Sequence, residues 1–192
     1  MRSWVRKLVM TSAVMGALFV GGAVSAAPEK QIIDVAHSSL DFEASSFLID
    51  TEGTFKSWQG EVMLDREDIA KSSVNVAVDA RSIDTRIEKR DEHLKSTDFL
   101  DVAKYPNITF KTTGIKKTGD KTFELTGDLS LHGVTRSVTV PVTIDRLQDN
   151  YSRFRSAFSV SRSAYGITFD SKLNPIQDEL KIKLVLNIKK PS

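Results

Sequence analysis

The residues best suited to chemistry in this sequence are three histidines, His37, His93 and His132, and one acidic neighbour, Asp91. Imidazole is the commonest metal ligand and the usual acid or base near neutral pH. No two of the histidines stand at a spacing typical of metal ligands. Asp91 and His93 alternate along a charged segment, where they would point in different directions. We interpret the histidines as hydrogen-bonded structural residues, and we expect neither a metal nor a cofactor.

Composition and motifs exclude further classes of site. The sequence contains no cysteine, which removes disulfides, thiolate metal sites and cysteine nucleophiles. The serine-hydrolase elbow, the zinc-protease motif and the dinucleotide-binding glycine pattern are absent from it. The segment GIKKTGDKT (114–122) matches a phosphate loop only in part, because Asp120 precedes the lysine and the flanking patterns predict two strands. The sequence therefore predicts a protein that is not an enzyme.

Residues 1–26 differ from the rest of the chain. Three basic residues precede an apolar stretch from Leu8 to Val20, and the small residues of VSA (24–26) follow it. This order is typical of a secretory signal peptide, and we expect cleavage after Ala26. The apolar stretch is too short for a transmembrane helix, which needs about 20 residues. The mature chain would then comprise residues 27–192.

The charge of the chain changes with that cleavage. The full sequence has 27 basic and 25 acidic residues, whereas residues 27–192 have 24 and 25. A nearly neutral mature chain does not favour binding to nucleic acid, which needs a strongly basic surface. We therefore expect no nucleic-acid partner.

Period-two alternation dominates the mature chain and places every second side chain on one face of a strand. Apolar residues alternate in this way over 40–44, 74–78, 123–131, 138–144 and 182–188. Residues 117–120 and His132-Gly133 separate such runs and predict tight turns. Strands with one apolar face are typical of an antiparallel sheet.

Two irregularities interrupt the alternation. Between Phe55 and Trp58 the apolar phase slips by one residue, which predicts a bulge that would curl the sheet. Pro141 lies in phase with the polar residues of its run, which predicts an edge strand or a bulge because proline donates no hydrogen bond.

One segment favours helix. Thr85 and Glu88 have the spacing of a capping box, and RIEKRDEHLK (86–95) follows. TDFLDV (97–102) predicts a further helical turn. About eight strands with one short helical insert predict an all-β domain, either a small antiparallel barrel or a sandwich.

The charged helix allows two interpretations. In one, Arg90, His93 or Lys95 meets the head group of a ligand at the mouth of a cavity. In the other, the charges form a solvated helix face, which is the commoner role of such a run. The apolar positions raise a parallel question, because alternation cannot distinguish an apolar pocket from a packed core in a barrel of this size.

Particular strings indicate a family. HSSLDF (37–42), GTFKSWQGEV (53–62), the block 80–110, LTGDLSLHGVTRSVTVPV (125–142) and SVSRSAYGI (159–167) together resemble the YceI-like family. The resemblance covers nearly the whole mature chain in the expected order. SSFLIDTE (45–52) matches the usual first hairpin of the family least.

The resemblance implies a bacterial, periplasmic, lipocalin-like antiparallel barrel that binds an extended amphiphile such as a polyisoprenoid, an isoprenoid quinone precursor or a fatty amide. Dimers are known in the family, so the resemblance leaves open whether this chain forms a homodimer. Arg90 and His93 are the candidate head-group contacts. The candidate lining residues are the apolar residues of one phase: Phe42, Trp58, Leu64, Val76, Val78, Phe110, Phe123, Leu125, Leu129, Phe158 and Leu184.

Two other functions remain open at the level of sequence, because one fold can host many activities. The first is a stress-response or interaction protein whose barrel is simply a packed core. The second is a lipid-modifying enzyme in which His93, Asp91 or His132 acts as acid or base.

Overall fold

The structure is a computed structural model that describes residues 27–191, so the predicted signal peptide lies outside the described residues. The described chain contains eleven strands, one α-helix and four short 3-10 turns. The strands are β1 (Glu29–Ile33), β2 (Ser39–Ser46), β3 (Asp50–Phe55), β4 (Trp58–Leu64), β5 (Ser73–Asp79), β6 (Ile83–Asp84), β7 (Asn107–Lys117), β8 (Thr122–Leu131), β9 (Val134–Leu147), β10 (Tyr151–Ser161) and β11 (Ile176–Lys189), and the helix is α1 (Glu88–Lys95). No helix within 27–191 is long and apolar enough to cross a membrane.

The eleven strands form a closed antiparallel barrel of eight strands, three of which are composite. β1 and β2 act as one composite strand because both pair with β11. β3 and β4 form a second composite strand that pairs with β2 and β1, and β5 and β6 form a third that pairs with β4 and β3. β7 to β11 complete the circle. The pairs Ile33–Ile188 and Leu40–Leu184 close it. The predicted barrel of about eight strands with one helical insert is confirmed.

The predicted turns are confirmed, and the bulge predicted between Phe55 and Trp58 is instead a break between two strands. Hairpins join β7 to β8 after Lys117 and β8 to β9 through His132 and Gly133. The slip falls where β3 ends at Phe55 and β4 begins at Trp58. The backbone there pairs with the turn between β5 and β6 instead, because Lys56 N donates to the Ser82 carbonyl. This break bends one composite strand and lets the sheet curl.

Pro141 does not lie on an edge strand, because β9 has β8 on one side and β10 on the other. The pairs between β9 and β10 run from Leu147–Ser152 to Thr143–Arg155 and include a register shift. Pro141 itself pairs with Glu124 of β8, and its carbonyl accepts a hydrogen bond from Ser156 Oγ at 2.7 Å. The edge half of the prediction is therefore wrong, and the register shift lies between Arg153 and Phe154 of β10 and not at Pro141.

The predicted capping box is wrong. Ile87 occupies the N-cap of α1 and makes no side-chain cap, while the Thr85 backbone N–H donates to Asp91 Oδ1 at 2.8 Å and the Thr85 hydroxyl donates to the same oxygen. Asp91 is buried, so its carboxylate must be hydrogen-bonded. Thr85 supplies these hydrogen bonds and therefore does not cap the helix. The predicted helical turn over 97–102 is formed by turns and not by helix.

Two apolar clusters lie at opposite ends of the barrel interior. The first, at what we call the closed end, contains Ile33, Val62, Leu64 and Ile188 among its buried residues. The second lies beneath the helical insert. Its buried members are Leu131, Val160, Tyr165 and Ile167, with Phe99 and Leu100 of the insert packed against them. The two clusters leave the middle of the barrel between them.

Two phenylalanine rings of the inner wall occupy space next to glycines. A side chain at Gly53 would overlap the Phe42 ring, and a side chain at Gly127 would overlap the Phe110 ring. Both rings therefore fill room at the wall that another side chain would otherwise take. This arrangement keeps part of their volume away from the barrel axis.

The turn at Gly133 generates a stability prediction. Gly133 has φ +76°, and a Cβ there would overlap the Tyr105 ring. We expect Gly133→Ala to lower the free energy of unfolding by about 1–3 kcal/mol, since left-handed backbone and a steric clash add. Urea unfolding measures this change. Gly114→Ala is the control, because nothing lies within 4 Å of its Cβ position; equal losses in both variants would contradict the prediction.

Candidate ligand-binding site

A cavity of about 620 Å³ occupies the barrel between the closed end and the helical insert. Strands β2 to β11 all contribute lining residues, and most of these are aliphatic or aromatic. A space of this size falls within the range of small-molecule sites. The interior is thus not a fully packed core.

All eleven lining residues predicted from the sequence lie on the wall of this cavity, as do Arg90 and His93. Further wall residues come from the same inward phase of the strands, and alternation was the signal for them. These include Leu40, Phe55, Val62, Ile108, Val140, Phe154, Ile182 and Leu186. Leu94, Phe99, Leu100, Ile167 and Phe169 also line the cavity, but they lie outside strands, where period-two alternation gives no signal.

Three chain segments surround the end of the cavity opposite the closed end, and we call them the rim: residues 46–51, helix α1 and residues 169–176. Each segment contributes lining residues. Phe47 N donates to the Pro175 carbonyl, and Asn174 Nδ2 donates to Ser46 Oγ at 3.0 Å. The lining residues of the rim are mostly half-buried, whereas the closed end contains the buried residues Val62 and Leu64. We therefore take the rim to be the mouth of the cavity.

Arg90 places a cation on the rim. Its guanidinium donates to Thr85 Oγ1 and to the Thr85 carbonyl, both at 2.8 Å, and makes a longer contact of 3.4 Å with Thr51 Oγ1. No carboxylate forms an ion pair with it within the described part of the chain. A half-buried cation held only by neutral acceptors keeps its charge available to a polar or anionic group at the mouth.

His93 supports an aromatic cluster on the rim. Its ring makes edge contacts with Phe99 and Phe169 at centroid distances of 5.0 and 5.1 Å, and those two rings lie 4.9 Å apart. Its Nε2 lies 2.9 Å from an oxygen of Asp98. Asp91 instead holds Thr85, so Asp91 and His93 do not form an acid–base pair with each other.

The other two histidines lie elsewhere. His37 follows β1 in a 3-10 turn and pairs with Asp34, while His132 lies in the turn after β8, with Nδ1 3.1 Å from the Tyr165 carbonyl oxygen. The three histidines therefore do not converge. Within residues 27–191 no group of three histidine or acidic side chains is placed to hold a metal ion.

Arg162 is a site residue that the sequence interpretation missed. It is 7% exposed, and its guanidinium donates to four backbone carbonyls, those of Ile167, Phe169, Ile176 and Gln177, at 2.6 to 3.2 Å. These bonds fold residues 162–177 over the cavity. A lone arginine in the polar string SVSRSAYGI carries no pattern that distinguishes it from a surface residue.

Asp178 and Tyr165 flank this arginine. The hydroxyl of Ser161 and the backbone N–H of Ser163 both donate to the Asp178 carboxylate, and these bonds hold the pKa of Asp178 below its usual value. Burial raises the pKa of the Tyr165 phenol, whose oxygen finds no hydrogen-bond partner within the described chain. The segment after β10 is therefore fixed on both sides of Arg162.

Comparison with protein families and curated relatives gives consistent matches. A profile of the YceI-like domain matches residues 32–188. A UPF0312 protein of Pseudomonas savastanoi is 36% identical over 156 residues, which cover 76% of this chain and 80% of the relative. Protein YceI of Escherichia coli O157:H7 is 40% identical over 127 residues, or 64% of each chain.

Solved structures share the fold. The crystal structure of Burkholderia cenocepacia BcnA has a TM-score of 0.76 and 27% identity, and the match covers 81% of this chain and 98% of BcnA. The polyisoprenoid binding domain from Saccharophagus degradans, described as implicated in plant cell wall breakdown, has a TM-score of 0.69 and 15% identity, with 85% and 99% coverage. At that identity the second match supports the fold alone.

The four carbonyls around Arg162 generate a prediction. We expect Arg162→Met to lower the free energy of unfolding by about 2–5 kcal/mol, because it leaves buried acceptors unpaired. Limited proteolysis should then cut within residues 163–175, and urea unfolding measures the loss. Arg153→Met on the exposed face of β10 is the control, with an expected loss below about 1 kcal/mol. Similar losses in the two variants would show that the carbonyl contacts of Arg162 contribute little.

Proposed function

Because this chain belongs to the YceI-like family, we propose that it is a carrier that holds one extended amphiphile of the polyisoprenoid class inside its barrel. The observation that carries this proposal is the apolar cavity of about 620 Å³, with polar side chains gathered at its rim. The family membership supports the choice of ligand class, and the polyisoprenoid binding domain from Saccharophagus degradans shares this fold.

The driving force for such binding is the burial of apolar surface. A polyprenyl chain in water exposes continuous hydrocarbon, and burial is worth about 25 cal/mol per Å². Inner-wall residues such as Phe123, Leu125 and Leu184 offer hydrocarbon contacts and no polar group. Affinity then depends mainly on how much of the ligand chain the cavity can shield, and specificity depends on its length and width.

The two ends of the cavity determine the orientation of the ligand. Leu64 and Trp58 at the closed end are 2% and 6% exposed, so a polar head placed there would lose its hydration without gaining a partner. Arg90 and Thr51 at the rim offer a cation and a hydroxyl. The tail therefore points to the closed end, and the head lies at the rim.

Residues 1–26 indicate the cellular compartment in which the protein acts. Their order of basic, apolar and small residues supports export, and we propose that the mature chain works in the periplasm. An amphiphile that crosses an aqueous compartment needs its hydrocarbon shielded from water, and a closed apolar barrel shields it.

The direct test is mass spectrometry of an organic extract of the mature chain, purified from periplasm without detergent. An unrelated periplasmic protein is purified in parallel as the control. We expect an isoprenoid or similar long-chain lipid at close to one molecule per chain, and enriched over the control. Trp58 lies on the cavity wall and reports binding of added polyprenol by fluorescence. A clean extract together with an unchanged Trp58 signal would overturn the carrier proposal.

A bulky substitution on the inner wall separates binding from folding. Ala44 lines the cavity near the rim, whereas Ala157 lies exposed on the outside of β10. We expect Ala44→Trp to reduce bound lipid at least about fivefold because the added ring takes ligand space. Ala157→Trp should keep the lipid. Circular dichroism checks that both variants fold.

Two outcomes of this comparison would count against the assignment. Full lipid content in both variants, with Ala44→Trp folded, would show that the ligand does not occupy this part of the cavity. Loss of lipid in both variants would point to a change that tryptophan causes anywhere on the barrel.

A further inference from the structure

Four large apolar side chains protrude from the rim. Phe47, Leu48, Ile49 and Leu173 are 61% to 89% exposed, and we call them the apolar tip. Single exposed apolar residues are common on soluble proteins, but a contiguous exposed group marks an interaction site. The other large apolar residues that are exposed among residues 27–191, Ile32, Ile87 and Leu147, are 37% to 52% exposed.

Hydrogen bonds tie the two loops of the apolar tip into one unit. Phe47 N donates to the Pro175 carbonyl at 3.0 Å, and Leu48 N donates to Asn174 Oδ1 at 2.9 Å. Asn174 also donates to Ser46 Oγ at 3.0 Å. The tip is therefore a single cross-linked protrusion rather than two independent loop ends.

The apolar tip is continuous with the cavity. Ser46, Thr51, Ser171 and Asn174 flank its residues in the chain, and all four line the cavity. A surface that meets the tip therefore also meets the mouth through which a ligand enters or leaves. At the far end of the barrel, Val62, Leu64 and Ile188 belong to a buried apolar cluster.

We infer that the apolar tip inserts into the surface of a lipid bilayer and places the cavity mouth against it. This inference rests on the carrier function, because the proposed ligand is itself dissolved in a bilayer. The four side chains of the tip are each more than 60% exposed, which suits a fluid surface that closes around them. Asp50 and Lys172 flank the tip with opposite charges, so apolar insertion and not attraction to anionic headgroups drives the contact.

The test compares two double variants of the mature chain. The tip variant carries Phe47→Asp and Leu173→Asp, and the control variant carries Ile32→Asp and Leu147→Asp. The control residues are exposed apolar residues on β1 and at the end of β9, both at the closed end of the barrel. Flotation with phosphatidylcholine vesicles, and with phosphatidylethanolamine–phosphatidylglycerol vesicles, measures binding.

We expect the wild type and the control variant to float with both kinds of vesicle. The tip variant should bind at least about tenfold more weakly, because each buried side chain of this size contributes roughly tenfold to partitioning. Transfer of a fluorescent polyprenol from vesicles to the tip variant should slow to a similar degree. Binding only to the anionic vesicles would overturn the apolar mechanism.

Delivery of the same polyprenol from ethanol distinguishes this inference from the carrier function. The tip variant should then load to the wild-type stoichiometry, because its cavity is unchanged. Failure of all three proteins to load from ethanol would overturn the carrier function itself. Normal loading with no vesicle binding by the wild type would overturn the bilayer inference alone. A wild-type dimer that the tip variant lacks, without vesicle binding, would assign the tip to a second copy of the chain.

Discussion

The rest of this structure depends on one constraint. A single sheet closes on itself around an interior, and the side chains of the sheet do not fill that interior. Because β11 pairs with both β1 and β2, the inward positions of all eight barrel strands face one shared space. A barrel of eight strands is about the size at which side chains either fill that space or leave room for one ligand. Here Phe42 and Phe110 pack beside Gly53 and Gly127 at the wall, and room remains along the axis.

The size of that room limits what it can contain. Cavities made by mutation cost about 24 cal/mol per Å³, and at 620 Å³ that would be about 15 kcal/mol, as much as the whole stability of an ordinary domain. By that measure an empty interior would cost a large part of the stability of the barrel. Water would find few partners on a wall of this composition, whereas hydrocarbon restores the missing contacts. Ligand binding and barrel stability are thus coupled.

The barrel wall could be predicted from the sequence, and the mouth largely could not. Alternation around Phe42, Phe123 and Leu184 identified inward positions because a strand has a fixed side-chain period. The same pattern could not decide between a pocket and a packed core, since that depends on how rings pack against glycines on neighbouring strands. At the mouth, Arg162 bonds to carbonyls up to 15 residues away, and Asp91 takes Thr85 away from the helix cap. Tertiary contacts of this kind leave no local period to detect.

The two ends of the barrel differ in chemistry, and this difference relates the cavity to the surface outside its mouth. Polar groups such as Arg90 and Thr51 lie at one end of an otherwise apolar space, and the most exposed apolar side chains lie outside the same end. An amphiphile in a bilayer has its head at the surface and its tail below, whereas the proposed bound state has the tail deep in the barrel and the head at the mouth, so the tail must turn at the interface during transfer. A mouth held at the headgroup level shortens the distance over which the tail meets water. The cost of transfer is then the brief exposure of part of a chain rather than of all of it.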